Sequence, residues 1–336
     1  MSNKDLKYDF VIIGAGIIGL SCAWRVRQLR PTARIAVLEQ AAAVASHQSG
    51  HNSGVIHAGV YYPPNSLKAQ YCRQGGAEIL KFCDTYGVAA RQCGKLIVAL
   101  DAVQTERLRQ LAQRAAQNGL NCEWLDRSAI SERQPGISGD AALFVPDTGI
   151  ADYSGLCQKL AELLLESDVE LELNAAVVEL HESSADVVVE TPGRAVHASQ
   201  IIVCAGLQAD RLARMAGIAS DHRVIPFRGD YYRLPSARAG LVSTLIYPVP
   251  DPRLPFLGVH LTLDTAGGLT LGPSAMLAFA RESYRKWAFT PADFIDLATF
   301  PGTWRLLARF PAAGLSELLA TLSRRYYLRL AQHCWA

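Results

Sequence analysis

The chain lacks the features that mark a disulfide-stabilised, zinc-binding or nucleic-acid-binding protein. Its eight cysteines are dispersed over 336 residues without a Cys-x-x-Cys pair, which argues against a metal site and a secreted disulfide framework. Its 33 Lys and Arg against 31 Asp and Glu give a net charge of +2, too even to attract nucleic acid. We therefore expect a protein of the reducing cytoplasm that binds a small molecule, with no metal and no nucleic-acid partner.

Long apolar runs, internal repeats and low-complexity linkers are also missing. No segment approaches the roughly 20 consecutive apolar residues that span a bilayer. Residues 1–9 are polar and charged, unlike a signal peptide. A length of 336 residues is ample for one large domain or two intertwined domains with a sizeable core.

The most informative segment begins with the apolar run at 10–13, which leads into Gly-Ala-Gly-Ile-Ile-Gly at 14–19. A helical pattern follows, and a second apolar run at 35–38 ends on Glu39. This order of strand, glycines, helix, strand and acid is typical of a βαβ unit that binds a dinucleotide. An ordinary glycine-rich turn is the alternative, which the register of all the parts disfavours.

Each glycine of this motif has a physical role. Gly14 permits the tight turn, Gly16 lets the backbone approach a pyrophosphate, and Gly19 lets the helix pack closely on the strand. The first helical turn offers unpaired N–H groups to the phosphates. Glu39, twenty positions after Gly19, can accept hydrogen bonds from a ribose diol and argues against a 2′-phosphate. The motif by itself leaves NAD and FAD open.

The hydrophobic pattern of the remaining chain predicts a discontinuous fold. Helices are expected at 67–86, 105–118, 153–166 and 291–336, and strands at 94–100, 169–173, 177–181, 187–190 and 201–204. The last of these strands ends in Ala205-Gly206, which indicates a return to the nucleotide-binding sheet. The stretch 222–271 has strand and turn patterns without helices, which predicts an antiparallel sheet over a cofactor.

A polar loop follows the second strand. Residues 49–62 contain three glycines and two histidines in fourteen positions, which is too polar for a core. The small residues of this loop can wrap around a large planar cofactor, with His57 near its reacting face. The alternative is an ordinary hydrogen-bonded loop in which His57 only orients the backbone. Directly after Glu39, such a loop suits an enclosed flavin and favours FAD over NAD.

Several segments carry a resemblance to one family. They are the motif at 14–19 with Glu39, HNSGVIHAGVYY at 51–62, VPDTGIADY at 145–153, PFRGDYY at 226–232 and YPVPDP at 247–252. Together they resemble the L-2-hydroxyglutarate oxidase/dehydrogenase family, which belongs to the FAD-dependent amino-acid-oxidase-like flavoenzymes. The glycine motif is shared by many families, whereas SGVIHAGVYY and PFRGDYY are more specific.

The resemblance extends over nearly the whole chain and implies both fold and function. The expected fold class is α/β, with a Rossmann-type FAD-binding domain at 1–90 and 150–221. A discontinuous antiparallel β-sheet substrate domain is expected at 91–149 and 222–290, and a C-terminal helical segment at 291–336. The implied reaction is oxidation of L-2-hydroxyglutarate, or a similar short 2-hydroxy acid, to 2-oxoglutarate by hydride transfer to the flavin.

Such a reaction needs a base for the hydroxyl proton and a cation for a dianionic substrate. A neutral imidazole can accept the proton, so His57 is the first candidate and His260, on an expected strand, the second. The alternatives are that His57 only orients its loop and that His260 only lines the pocket. Arg228 can bind a carboxylate through two parallel N–H bonds, unless it forms a surface or inter-domain ion pair. The residues that could complete the pocket are Tyr61, Tyr62, Tyr231, Tyr232 and Arg281.

The FAD contacts are expected on the glycine motif, the loop and the returning strand. The expected residues are Gly14, Gly16, Ile18, Gly19, Glu39, Gln40, Asn52, Ser53, Gly54, Val177, Ala205 and Gly206. Val177 lies where relatives place backbone against adenine, and Ala205-Gly206 resembles their second glycine-bearing cofactor strand; a strand that only packs is the alternative. Oxygen, a quinone and a carrier protein all remain open as the final electron acceptor.

The chain departs from the family near its end. The family continues beyond the position of Gln332 with strands that return to the flavin, and here the sequence ends at Ala336. Less stabilisation of the reduced flavin is therefore expected. Two hypotheses stand: an FAD-dependent oxidoreductase, and a C-terminally truncated paralogue that binds FAD weakly or not at all and is inactive. An amino-acid or glycerol 3-phosphate oxidase-like flavoenzyme and a pure NAD enzyme are further alternatives.

The final helical segment is rich in arginine and also carries exposed aromatic candidates. Trp304, Arg305, Arg309 and Arg324 lie on expected helices. Peripheral contact with the inner face of a membrane is one interpretation of this pattern. Solvated helix faces are the other.

Overall fold

The computed structural model of the protein describes residues 7–238, 240–253 and 258–332; Cys334 lies outside them. The chain divides into two units, each assembled from three segments. The first unit comprises Met1–Asn52, Tyr153–Pro226 and Phe279–Asp296, and the second comprises Ser53–Asp152, Phe227–Ala278 and Leu297–Ala336. The expected discontinuity is therefore present.

The boundaries of the units differ from the expected ones chiefly at 53–90 and 279–290, and by a few residues at 150–152, 222–226 and 291–296. Residues 53–90 belong to the second unit, because Val55–Ile56 and Ala90–Arg91 both pair with Gly149–Ala151 in a small sheet. Residues 279–290 belong to the first unit, where the N–H of Arg281 donates to Asp293. A strand of two residues carries too little pattern to show which sheet it joins.

The first elements of the described chain are β1 (Lys7–Ile13), α1 (Ile17–Leu29), β2 (Ile35–Leu38), β3 (Val55–Ile56), α2 (Leu67–Tyr86), β4 (Ala90–Arg91), β5 (Lys95–Ala99), α3 (Ala102–Gln117), β6 (Glu123–Asp126), α4 (Arg127–Arg133), β7 (Ala141–Val145) and β8 (Gly149–Ala151). They are followed by α5 (Tyr153–Glu166), β9 (Glu170–Glu172), β10 (Glu179–Glu182), β11 (Val187–Glu190), β12 (Ala195–Val203) and α6 (Ala209–Met215). The last elements are β13 (Phe227–Arg233), β14 (Leu245–Pro248), β15 (His260–Leu263), β16 (Leu269–Leu277), α7 (Pro291–Thr299), α8 (Pro301–Arg309), α9 (Pro311–Leu322) and α10 (Arg324–Gln332).

The first unit is built on a six-stranded sheet of order β10-β11-β12-β1-β2-β9. The four strands from β12 to β9 run parallel, and β10 and β11 add an antiparallel extension. All four residues of β2 are buried, as expected for a parallel strand covered on both faces. The carboxyl ends of β1 and β2 lead directly into Gly14 and Glu39, so the glycine turn and the acid lie at one sheet edge.

The second unit contains a seven-stranded sheet of order β13-β16-β15-β14-β5-β7-β6 and the small sheet β3-β8-β4. The larger sheet is antiparallel except where β14 runs parallel to β5. Strands from 95–145 and from 227–277 therefore share one sheet. All five residues of β5 are buried, and helix α3 packs on this strand and on β7.

The sheet of the second unit also places side chains on a common face. Leu245 on β14 pairs with Lys95 on β5, and Ile246 pairs with Leu261 on β15. Because side chains alternate along strands and paired residues share a face, Lys95, Tyr247 and His260 project from the same face. Helix α9 packs on β16, and α10 packs on α9.

Candidate functional site

Two glycines where β1 leads into α1 leave no room for a side chain. Gly14 has φ +109°, and a Cβ on it would lie 2.5 Å from the carbonyl oxygen of Cys204. A Cβ on Gly19 would overlap the carbonyl oxygen of Gly14. Helix α1 starts after Gly16 without a side-chain cap, so its first turn keeps N–H groups for a ligand. The N–H of Ile17 donates to Ser49 Oγ at 2.9 Å.

Glu39 lies at the end of β2 with only 7% of its surface exposed. Its Oε2 accepts from the N–H of Ala15 at 2.7 Å, and its Oε1 accepts from the N–H of Ala41 at 2.9 Å. These bonds hold the carboxylate against the glycine turn. Each carboxylate oxygen has a second lone pair, so the acid can still accept from the hydroxyls of a ribose. The turn and Glu39 therefore fit an ADP moiety.

The returning strand lies beside this turn. The N–H of Cys204 donates to the carbonyl of Ile13 at 2.8 Å, which places Ala205 and Gly206 at the same sheet edge. Gly206 has φ +52°, a conformation that favours glycine. Val177 is partly buried and packs against the core of the first unit.

The other expected cofactor residues differ in what their side chains do. The Gln40 amide donates to Glu282 at 2.9 Å, and the Asn52 amide donates to the carbonyls of Gln48 and Ser49. Ile18 is 64% exposed on the first turn of α1. In the second unit, the carbonyl of Gly54 accepts from the N–H of Ala151 at 2.8 Å, and the hydroxyl of Ser53 bonds to Tyr231.

The second unit brings together His57, Tyr61, Lys95, Tyr247 and His260, which we call the histidine–lysine cluster. His260 is 5% exposed, and its ring stacks on that of Tyr247 with centroids 4.0 Å apart and planes 8° apart. Its Nδ1 lies 2.7 Å from the hydroxyl oxygen of Thr262, which also hydrogen-bonds to the Tyr247 hydroxyl. His260 is therefore held in one orientation.

Both histidines of the cluster are neutral at physiological pH. Burial, and then the nearby Lys95, lower the pKa of His57 to about 4. Burial, followed by His57 and Lys95, lowers the pKa of His260 to about 3. Burial is the larger cause in each case because it disfavours the charged imidazolium. A neutral imidazole can accept or donate a proton, so the pair suits acid–base chemistry.

Lys95 belongs to the cluster although sequence reasoning missed it. Its side chain is fully buried, and its Nζ lies 4.5 Å from the centre of the Tyr61 ring and 5.1 Å from that of Tyr247. Within the described residues, neither this Nζ nor the Tyr61 hydroxyl has a hydrogen-bond partner. The signal that could have revealed it is a lone lysine at the start of an apolar strand, where lysine is almost never buried without a role.

The remaining tyrosines of the expected pocket lie in the second unit too. Burial raises the pKa of Tyr62 and of Tyr231, so both phenols stay protonated. The ring of Tyr232 packs against that of Tyr327 at 4.6 Å between centroids. The Tyr232 ring therefore takes part in aromatic packing within the second unit.

The two arginines expected at the substrate are engaged by protein carboxylates. Arg228 forms a forked pair with Asp230, with Nε 2.7 Å from Oδ1 and Nη2 3.2 Å from Oδ2. The Arg281 side chain is 2% exposed and pairs with Asp210, while its Nη1 also donates to the carbonyl of Leu207 at 2.6 Å. Because its donors hold the first unit together, Arg281 is better assigned to structure than to the substrate.

The described residues lack both a metal-binding cluster and a membrane-spanning helix. No group of three or more His, Cys, Asp or Glu side chains among them is arranged to hold a metal ion. No helix in the described part of the chain is long and apolar enough to cross a bilayer.

Comparison with known proteins adds to this geometry. A family model described as FAD dependent oxidoreductase matches residues 9–335. The L-2-hydroxyglutarate dehydrogenase of Escherichia coli K12 is 46% identical over 326 residues, which are 97% of this chain and 77% of that protein. The chain belongs to the L-2-hydroxyglutarate dehydrogenase family of FAD-dependent oxidoreductases. The family resemblance of the sequence motifs is thus confirmed.

A second relative and two solved structures are also similar to the chain. The mitochondrial L-2-hydroxyglutarate dehydrogenase of Homo sapiens is 38% identical over 330 residues, covering 94% of this chain and 71% of that protein. L-alpha-glycerophosphate oxidase from Mycoplasma pneumoniae with FAD bound superimposes with a TM-score of 0.75 at 25% identity, covering 84% of this chain and 75% of that one. Glycine oxidase from Geobacillus kaustophilus shares the fold, with a TM-score of 0.72 at 18% identity over 89% of this chain and 80% of that one. The family fold expected from the sequence is confirmed.

Proposed function

We propose that this protein oxidises L-2-hydroxyglutarate, or a similar short 2-hydroxy acid, to the 2-oxo acid, with FAD taking the electrons. The names of relatives at 46% and 38% identity support the substrate. The observation that carries the chemistry is the pair of neutral, buried histidines, since oxidation of a C–OH group needs a proton acceptor at neutral pH.

FAD fits the first unit and, when bound, supplies the acceptor for the hydride that leaves the substrate carbon. The uncapped first turn of α1 would hold the pyrophosphate, and Glu39 would accept from the ribose hydroxyls. Ala205 and Gly206, which follow β12, and Val177, which precedes β10, are the proposed further contacts. At Gln40 and Asn52, whose amides hold protein groups, any contact would be through the backbone.

The hydrogen-bond chain behind His260 supports different proposed roles for the two histidines. Burial raises the pKa of Tyr247, so its phenol is protonated. The phenol donates to the Thr262 hydroxyl, its hydrogen-bond partner among the described residues. The single hydroxyl proton of Thr262 then goes to Nδ1 of His260, 2.7 Å away. His260 carries its own proton on Nε2 in this arrangement, so it is the proposed donor to the substrate oxygen.

His57 is the proposed base. Its imidazole has a pKa of about 4, so it is neutral at physiological pH and can take the proton of the substrate hydroxyl as the hydride leaves. Tyr61 and Tyr62 follow on the same loop and are the proposed pocket walls. Arg228, held by Asp230, is the proposed positive charge at the pocket's edge on β13.

Anaerobic reduction with the two enantiomers of the substrate tests this proposal. Purified protein, reconstituted with FAD if necessary, is expected to be yellow and to bleach with L-2-hydroxyglutarate. D-2-hydroxyglutarate is the matched control and is expected to bleach it far more slowly. The product should be 2-oxoglutarate in a one-to-one ratio with reduced flavin.

The same experiment separates the alternatives. A colourless protein that cannot be reconstituted with FAD would favour a paralogue that is inactive. Bleaching by glycerol 3-phosphate, glycine or sarcosine instead of L-2-hydroxyglutarate would place the activity with a sister group of flavoenzymes.

A further inference from the structure

Lys95 occupies an unusual position for a lysine. It is the first residue of β5, in the middle of the seven-stranded sheet, and its side chain has no exposed surface. Lysine side chains near a surface normally extend to bring the ammonium into water. Here the ammonium stays inside, between the rings of Tyr61 and Tyr247.

The surroundings of Lys95 do not balance its charge. The titratable groups that interact with it or flank it are His57, Tyr61 and Cys72 on the β3–α2 segment, Cys122 before β6, Tyr247 on β14 and His260 on β15. None of them is a carboxylate, and no described residue accepts a hydrogen bond from Nζ. Two aromatic faces attract a cation but leave its three N–H groups without acceptors.

A purely structural role explains this arrangement poorly. A methionine or leucine would fill the same volume without the cost of removing an amine from water. The cost is visible in the pKa of Lys95, which burial lowers to about 7. The Tyr61 hydroxyl is a second buried group with no hydrogen-bond partner among the described residues. The Lys95 amine and the Tyr61 hydroxyl therefore both lack an acceptor among the described residues, and a ligand could supply one.

We propose that Lys95 binds a carboxylate of the substrate, with its ammonium and the Tyr61 hydroxyl donating to the anion beside His57 and His260. This inference rests on the proposed function for the identity of the ligand, a short dicarboxylate. It also explains how an anion is bound although Arg281 and Arg228 are paired with protein carboxylates. Lys95 is a binding residue here, and His57 remains the base.

The proposal predicts that binding takes up a proton. In the free protein Lys95 is about half charged near pH 7, since its pKa is about 7. An adjacent carboxylate raises that pKa, so affinity should be greatest below pH 7 and should fall by up to about tenfold per pH unit above it. His57 and His260, with pKa values of about 4 and 3, stay neutral in this range and contribute no slope. Cys72 and Cys122 have pKa values raised by burial, and the Tyr61 and Tyr247 phenols are protonated.

Binding of glutarate, which cannot be oxidised at a hydroxyl carbon, tests the proposal without relying on activity. Calorimetry and thermal shift are measured on the FAD-reconstituted wild-type chain, on Lys95→Met and on Lys68→Met. Lys68 is exposed on α2 and provides the matched control. Wild type and Lys68→Met are expected to bind glutarate alike, and Lys95→Met about 10- to 100-fold more weakly, without the pH dependence above pH 7.

The outcomes distinguish the two proposals. Equal glutarate affinity in wild type and a folded Lys95→Met, or no binding to wild type at millimolar glutarate, would overturn the role of Lys95. Glutarate binding that depends on Lys95, in a protein that L-2-hydroxyglutarate does not reduce, would keep the anion site and reject the proposed reaction.

A second substrate shows which carboxylate is bound. If Lys95 holds the distal carboxylate, Lys95→Met and wild type should bind 2-hydroxybutyrate with the same apparent dissociation constant, because this substrate lacks that group. If Lys95 holds the carboxylate next to the reacting carbon, Lys95→Met should lose the same factor in apparent affinity for L-2-hydroxyglutarate and for 2-hydroxybutyrate. In either case the limiting rate of flavin reduction should change much less than the apparent dissociation constant.

Discussion

At the scale of single residues, burial decides the chemistry of the cluster. An exposed histidine has a pKa near 6.5 and is partly charged at neutral pH, whereas His57 and His260 are kept neutral by removal from water and by the amine of Lys95. The same removal from water leaves Lys95 only partly charged. The three groups therefore present a proton acceptor and an anion-binding donor within one small volume.

Replacing His57 with Gln should slow flavin reduction by about 10²- to 10⁴-fold, the usual contribution of a general base. FAD content and glutarate affinity should change little, because the proposed nucleotide contacts lie on other residues. Anaerobic stopped-flow absorbance measures the rate, and flavin-to-protein ratio is the control. An unchanged rate would remove His57 as the base.

The pH dependence of kcat/KM should carry two limbs. Loss of the neutral form of His57 lowers kcat/KM as pH falls through about 4, and loss of the Lys95 proton lowers it as pH rises above about 7. The Lys95→Met variant should keep the acid limb and lose the alkaline one. A wild-type profile that rises from pH 7 to 9 would contradict this assignment.

At the scale of secondary structure, the termini of strands and helices position the proposed sites. The βαβ unit aligns the glycine turn and Glu39 because parallel strands end at one edge. Pairing of β5, β14 and β15 aligns Lys95, Tyr247 and His260, which are far apart in sequence. The first arrangement is local, and the second depends on how distant strands meet.

Substitution of helical glycines by Ala should have opposite effects in α1 and α2. Gly19→Ala should destabilise the turn and weaken FAD binding, since its Cβ would overlap the carbonyl oxygen of Gly14. Gly75→Ala is the control, because its Cβ would meet nothing within 4 Å and alanine favours the helix by about 0.5–1 kcal/mol. Chemical denaturation and FAD titration measure both effects. Equal FAD affinity in the two variants would contradict the close packing at Gly19.

Lys95→Met should stabilise strand β5 and the sheet around it. The folded-state pKa of Lys95 lies below its unfolded value of 10.5, so the lysine destabilises the native state as pH falls from about 10 toward 7. The variant should therefore gain about 1–3 kcal/mol in unfolding free energy at pH 7, and this gain should be clearly smaller at pH 10. Urea denaturation at pH 7 and 10 measures it; a loss of stability at pH 7 would indicate a structural lysine.

At the scale of the whole molecule, each unit is assembled from three separate chain segments. In the first unit, β1 and β2 find their outer parallel partners in β12 and β9, which follow the whole excursion through 53–152. No single cut of the chain therefore releases a complete unit. Folding of either unit requires contacts that are distant in sequence.

A fragment of residues 1–152 should not fold by itself. It retains β1 and β2 but lacks β9 and β12, and it also lacks β14, β15 and β16 from the second sheet. We expect a broad thermal transition by circular dichroism and no FAD binding, against a cooperative transition for the full chain. Cooperative unfolding of the fragment with bound FAD would contradict the discontinuous architecture.

Much of the fold is predictable from local pattern. Helices α2 and α5 and strands β5 and β11 lie within a residue or so of their expected positions, because their apolar periodicity and turn residues are local signals. Helix α3 begins at Ala102, ahead of the expected 105, since the Asp101 side chain accepts from the N–H of Gln104 at 2.8 Å and caps the helix earlier. Residues 53–90 and 279–290 lie in the opposite unit from the expected one. Contacts with distant segments decide to which unit they belong, and local pattern does not encode these contacts.

The sequence by itself determined the dinucleotide turn, the acid at Glu39 and the family, because their residue types and spacing are encoded over a short stretch of chain. Only the tertiary structure decided that Arg281 is committed to Asp210 and that Lys95 is buried beside the two histidines. It also decided that both histidines are neutral. Burial and ion pairing are properties of residues brought together from distant positions, so a local pattern such as the lone lysine at the start of an apolar strand draws attention to a residue without specifying its partners.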